Sequence, residues 1–116
     1  MTIAGVASGS GTDIPADNWR PTADVGYAVS MGEMRGKINT ATVQLKLEYA
    51  NDVRSSAGTI AIGNTISANG MLDPTTTTDI STLRAYRFWR PVWNIIGDGT
   101  NLACCAVGGA VAVFKA

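Results

Sequence analysis

From Thr42 to Ala50 the chain alternates almost without interruption: Val43, Leu45, Leu47 and Tyr49 are apolar, Thr42, Gln44, Lys46 and Glu48 polar. A period of two sends successive side chains to opposite faces of a strand. This stretch therefore predicts a strand with one dry face and one wet face, as in an antiparallel sheet covering a core. The same period runs through Val25, Tyr27, Val29 and Met31, which alternate with Asp24, Gly26, Ala28 and Ser30, and it predicts a half-buried strand. Residues Gly32 to Gly36 then read as a turn, and Asn51-Asp52 and Ser55 to Gly58 as loop. A short strand is expected over Thr59 to Ile66, with Gly63-Asn64 marking a bulge or tight turn, and Asn69-Gly70 is a turn dipeptide. The four threonines Thr75 to Thr78 could extend as an edge strand, but Asp73-Pro74 before them favours a polar connection.

Further on, Leu83 to Trp93 is rich in aromatic residues and predicts a strand, with Pro91 pointing to an edge or a kink. Gly97 to Asn101 reads as a turn. Leu102 to Phe114 is apolar on both faces, so it should form a central strand or a hairpin bent at Gly108-Gly109. No amphipathic helix of ten or more residues is apparent. Short strands separated by turn residues predict an all-β protein, an antiparallel β-sandwich or barrel. Residues 1–22 hold Gly5, Gly9, Gly11, Pro15 and Pro21 and keep neither period, so they read as an extended N-terminal arm ahead of a β-sandwich domain over 23–116. An arm without its own core must borrow contacts, because ordering each residue costs about 1–2 kcal/mol in backbone entropy.

Composition narrows the function more than the fold. At 116 residues the chain can bury a core without disulfides or metals. Nine Lys and Arg balance nine Asp and Glu, which argues against a nucleic-acid module with its usual basic excess. Histidine is missing altogether, removing the commonest general base and the commonest metal ligand. Cys104 and Cys105 are neighbours on an apolar run and point to opposite faces, so they read as small reduced apolar residues of a protein assembled in a reducing compartment. Met1 to Gly5 lacks the basic and apolar regions of a signal peptide, and Leu102 to Phe114 is shorter than the ~20 residues a membrane helix needs. With charged residues only 16% of the chain, composition fits a surface of small neutral side chains suited to contact with other proteins, and fits an ordinary soluble domain with few charges equally well.

The chemistry-bearing candidates are few. Glu33, Glu48 and the scattered aspartates offer no paired carboxylates for glycoside hydrolysis, and Asp52, Asp73 and Asp98 lack the spacing of a calcium loop. Gly9-Ser10-Gly11-Thr12 lacks the lysine of a phosphate loop. No catalytic residue, cofactor or metal is expected. The densest signal is Arg84, Tyr86, Arg87, Phe88, Trp89, Arg90 and Trp93, a set of aromatic and arginine residues of the kind enriched at protein interfaces. It could equally fill the core with its rings and send its arginines to solvent, or stack single-stranded nucleic acid. Charge neutrality disfavours the last. With Trp19 and Arg20, which could pin the arm, the interface candidates are Trp19, Arg20, Arg84, Arg87, Trp89, Arg90 and Trp93.

The layout of Val43-Gln44-Leu45-Lys46-Leu47-Glu48-Tyr49-Ala50, a polar loop, a short strand, an Asn-Gly turn and Leu83-Arg84-Ala85-Tyr86-Arg87-Phe88-Trp89 resembles small virion structural proteins of tailed bacteriophages. It is also similar to jelly-roll domains of the discoidin-like carbohydrate-binding group. Where many of those relatives carry Asp-Gly-x-x-Trp, this chain has Asn51-Asp52-Val53-Arg54, which weakens sugar binding as an expectation. The resemblance implies a jelly-roll-like β-sandwich acting as a capsid decoration (cement) protein, located in the virion and assembled in the host cytoplasm. Its partners would be copies of itself, often as a trimer in such proteins, and the major capsid protein, with no nucleic acid and no membrane. The alternative is a carbohydrate- or receptor-binding module of a tail or fibre, with Trp19, Trp89 and Trp93 as the sugar-facing rings.

Overall fold

The computed structural model describes residues 2–7, 12–23, 25–38, 42–66, 72–96 and 103–115. Strands dominate: β1 (Thr2–Ala7), β2 (Thr12–Pro15), β3 (Arg20–Pro21), β4 (Val25–Ile38), β5 (Thr42–Ala50), β6 (Gly58–Ala61), β7 (Leu72–Asp79), β8 (Phe88–Ile96) and β9 (Ala103–Lys115). Among the described residues one 3-10 turn, Ser81–Ala85, interrupts them. Two antiparallel sheets form, one ordered β1-β9-β4-β7 and the other β2-β8-β5-β6, with β3 also paired to β8. We call these sheet A and sheet B. With β3 set aside, the pairs β1–β9, β2–β8, β4–β7 and β5–β6 nest one inside the next and alternate between the sheets. The protein is an all-β sandwich.

Sheet B supplies the bulk of the core. Along β5 the alternation does what its period requires: Val43, Leu45 and Leu47 are buried, while Thr42, Gln44 and Lys46 are half-exposed. From the neighbouring β8 come Trp89, Trp93 and Ile95, and Ile62, Ile66, Ile80 and Leu83 close the cluster. The expected wet face has one exception. Glu48 is buried, because Arg90 stands opposite it in register and donates to its carboxylate at 2.6 Å.

Sheet A supplies the lid, and here the alternation misleads. Pairing between β4 and β9 slips by one residue between Val25 and Tyr27, a bulge at Gly26. A one-residue slip moves every following side chain to the other face. Val25 is buried, but beyond the bulge Ala28, Ser30 and Gly32 point inward, and Tyr27 and Met31 point out. Small residues are needed there because the indole of Trp93 rises from sheet B: a Cβ placed on Gly32 would sit 3.1 Å from Trp93 Cη2 and 3.4 Å from Ile66 Cδ1. The buried Ser30 hydroxyl donates to the Ile62 carbonyl at 2.7 Å, tying sheet A to the segment after β6.

Several expectations are corrected by this arrangement. Gly32 to Gly36 is not a turn but the middle of the fourteen-residue β4, held on both sides by β7 and β9. Thr75 to Thr78 lie in β7, not in a loop; β7 is an edge strand, and the register slip between Ser30 and Gly32 falls opposite the Asp73–Thr76 step that contains Pro74. Leu83 to Arg87 does not continue the aromatic strand: the 3-10 turn buries Leu83 instead, and β8 begins at Phe88. β9 runs through Gly108-Gly109 as one central strand, with Gly109 opposite Gly32, and is not bent into a hairpin. Within the stretch read as an N-terminal arm, β1 adds to sheet A, and β2 and β3 add to sheet B, each through pairing on one side. The turns expected at Asn69-Gly70 and Gly97 to Asn101, and the run Gly9 to Gly11, lie outside the described residues.

Candidate interaction surface

The seven residues singled out in the sequence do not come together as one exposed patch. Trp89 and Trp93 belong to the core, at 8% and 2% exposure. The Trp89 indole N–H donates to the Pro21 carbonyl at 3.2 Å, which fastens β3 to the sandwich. Arg84 reaches back to the Val25 carbonyl at 2.6 Å, pinning the 3-10 turn to the start of β4. Arg87 lies on the exposed side with its guanidinium 5.5 Å from the Phe88 ring centre. Arg20 is exposed and paired with Asp17 at 2.9 Å. The Asp17 carboxyl is held below its ordinary pKa, first by the Asn18 backbone N–H and then by Arg20.

Trp19 and Arg90 do form a unit, on the outer face of sheet B. Arg90 lies 4.3 Å from the Trp19 ring centre while bonding Glu48, so one guanidinium holds a carboxylate and an indole together. Around it the polar groups are also occupied: Asn94 donates to Asp13 at 2.8 Å, and Gln44 donates to the Gly63 carbonyl at 2.9 Å. These bonds serve the domain itself. They clamp β2 and the Ala16–Trp19 connection onto β8 and β5.

Among the described residues of the two sheets, the exposed large apolar side chains are grouped on the outer face of sheet A, while sheet B shows Ile96 alone. Past the Gly26 bulge, Tyr27 and Phe114 face each other in register and stack with ring centres 5.0 Å apart at 16°. Val29 stands opposite Ala112 one step along, and Met31 follows on the same face of β4. Tyr27, Met31 and Phe114 are 39%, 50% and 44% exposed. Exposed Thr77 and Asp79 of β7 border them. Where β9 ends, the patch meets a cleft lined by Arg20, Trp89 and Lys115, which gives it a cationic rim. Aromatic and methionine side chains grouped this way are typical of interface centres, whereas isolated apolar residues on a surface are ordinary. The sequence did carry a signal for this patch: Tyr27, Val29 and Met31 were visible as one face of a strand. What it hid was the direction that face takes.

Among the described residues no group of three His, Cys, Asp or Glu side chains is placed to hold a metal ion, and no helix is long and apolar enough to cross a membrane.

No family model matches the chain, and no curated protein matches its sequence. A likeness in structure is found with a chain from the structure of infectious bursal disease virus, Gx strain: TM-score 0.57 over 97% of this chain, at 9% sequence identity. The present chain spans 28% of the length of that one. At such low identity the likeness is one of fold.

Proposed function

We propose that this protein is a non-enzymatic structural component of a virus particle, a capsid decoration protein that packs on the major capsid protein through the outer face of sheet A. The observation that carries the reading is the Tyr27, Val29, Met31, Ala112 and Phe114 face, where exposed aromatic and apolar side chains are grouped around a ring stack. The nested strand order supports it as well. Eight strands wound as nested pairs over two sheets are the arrangement of a jelly roll, an architecture used by viral capsid and lectin domains. The fold likeness to a chain of a virus structure points the same way. The glycan-binding alternative has lost two of its three rings to the core.

Binding of this kind works by burying apolar area, at about 25 cal/mol per Å², and by repeating modest contacts over a lattice. Burying an aspartate there is costly, so Met31→Asp and Phe114→Asp remove binding while leaving the core untouched. The test is incorporation into purified particles of the virus that encodes the chain, read by quantitative peptide mass spectrometry. The wild-type chain should be present in a fixed ratio to the major capsid protein, and both variants should be depleted at least tenfold with unchanged melting temperature. Absence of the wild-type chain from particles, or full incorporation of both variants, would overturn the reading.

A further inference from the structure

We infer that the free edge of β1 is a docking edge for a second copy of this chain, joining two A sheets into one continuous sheet across a two-fold axis. This goes beyond the proposed role and rests on strand order and sequence alone. A sheet edge presents a row of unpaired N–H and C=O groups, and natural proteins blunt such edges with prolines, charges or brevity. The sandwich has four edges: β1 and β7 on sheet A, β2 and β6 on sheet B. Three of them carry such a device. β7 contains Asp73, Pro74 and Asp79; β2 is four residues long and contains Asp13 and Pro15; β6 is four residues long.

β1 carries none of these. Its six residues, Thr-Ile-Ala-Gly-Val-Ala, include no charge and no proline, and all six pair in unbroken register with β9 on one side. Among the described residues no strand lies on the other side. The occupant that fits is another β1. An antiparallel pair about a two-fold sets a strand against itself, and a like-charge clash, the usual bar to such self-pairing, cannot arise in a neutral strand. A two-fold axis normal to the sheet brings residues of the same parity face to face, so an axis at Ala4 sets Thr2 against Val6 and Ile3 against Gly5. Strand addition of this sort draws its affinity from main-chain hydrogen bonds. A strand-only contact is smaller than the ~1,200 Å² of a standard stable interface, so the dimer dissociates on dilution.

Successive N–H groups of a strand point to opposite edges. Of Ile3→Pro and Ala4→Pro, therefore, one removes a donor to β9 and the other removes a donor at the free edge alone. Sedimentation velocity of the full chain over a wide concentration range, with both variants alongside, tests the inference. The expected result is a concentration-dependent dimer that one of the two prolines abolishes at unchanged melting temperature. Should both prolines unfold the chain, amide hydrogen exchange of the wild-type protein decides. Protection of consecutive amides from Ile3 to Val6 that grows with concentration supports the paired edge, and protection of alternate amides only overturns it. A monomer at every concentration overturns it too, as does a dimer that survives both prolines. Particle incorporation of Phe114→Asp is read separately, so loss of the face contact and loss of the edge contact cannot be confused.

Discussion

The two outer faces of this sandwich are built from the same alternating strands and end in opposite states. On sheet B, several outward side chains bond one another or nearby backbone: Asp13 with Asn94, Gln44 with Gly63, and Glu48 with Arg90 beneath Trp19, with Ile96 exposed at the end of β8. On sheet A, beyond the Gly26 bulge, the outward side chains of β4 and β9 are Tyr27, Val29, Met31, Ala112 and Phe114, with a ring stack as their chief mutual contact. The cause lies inside. Sheet B fills the core with leucines and tryptophans, so sheet A must offer small residues inward, and its large apolar residues are turned to solvent. A bulky inner face on one layer thus produces an apolar outer face on the other.

Mutations can break or sharpen this contrast. The largest effect should come from the inner face of sheet B: Trp93→Ala should lower stability by about 3–5 kcal/mol in urea unfolding, through lost burial and the cavity left behind. Next comes the constraint that links the layers. Gly32→Val should cost about 1–3 kcal/mol, because the added side chain meets the Trp93 ring, with a Cβ already only 3.1 Å from Cη2. If Gly32→Val were neutral, the explanation of why sheet A turns its large residues outward would fall. Glu48→Ala should follow, at about 1–3 kcal/mol, by leaving the partly buried Arg90 guanidinium without its carboxylate. Fluorescence of the tryptophans should report release of Trp19 in that variant.

The outer face of sheet A should behave differently. Met31→Ser should change stability by less than about 0.5 kcal/mol, as for a surface position outside any network. A loss as large as that of Glu48→Ala would mean that the face stabilises the isolated domain after all. The smallest effect should be electrostatic. Asp79, beside Tyr27 in register, has its pKa lowered, first by the backbone N–H of Ser81, then by the Ser81 side chain and the charge of Arg84. A depressed folded-state pKa contributes stability above the ordinary aspartate range and loses it as pH falls through the lower folded value. Asp79→Asn should therefore make unfolding less sensitive to acid below about pH 4, with the two proteins converging in acid.

How far these features could be read in advance differs from strand to strand. β5 was legible apart from Glu48, since Val43, Leu45 and Leu47 lie where the period places them. β4 was legible as a strand only from Val25 to Met31, its glycine-rich second half reading as a turn, and its orientation was hidden because one extra residue at Gly26 leaves the alternation intact and reverses its meaning. β7 was hidden by Pro74, whose penalty depends on whether a strand lies at an edge, a property of the fold rather than of the segment. The strands of residues 2–21 were hidden for a similar reason: they are short, glycine-rich and stabilised by β8 and β9, far along the chain. Of the interface candidates, the arginines were correctly separable from the rings only after Trp89 and Trp93 were found inside. An aromatic strand next to arginines has the same composition whether its rings face a partner or a core.

The nesting of the strand pairs also sets the order in which the molecule can come into being. Thr2 meets Gly108, so the outermost pair joins nearly the two extremes of the described chain, while the innermost, β5 with β6, is local. Closing distant loops is slow, and a topology dominated by remote pairings folds on the millisecond-to-second scale. On a ribosome, sheet A stays open until β9 has emerged, and β1 spends the whole of translation as an unpaired, uncharged ribbon. Closure of the sandwich therefore comes as a single late event.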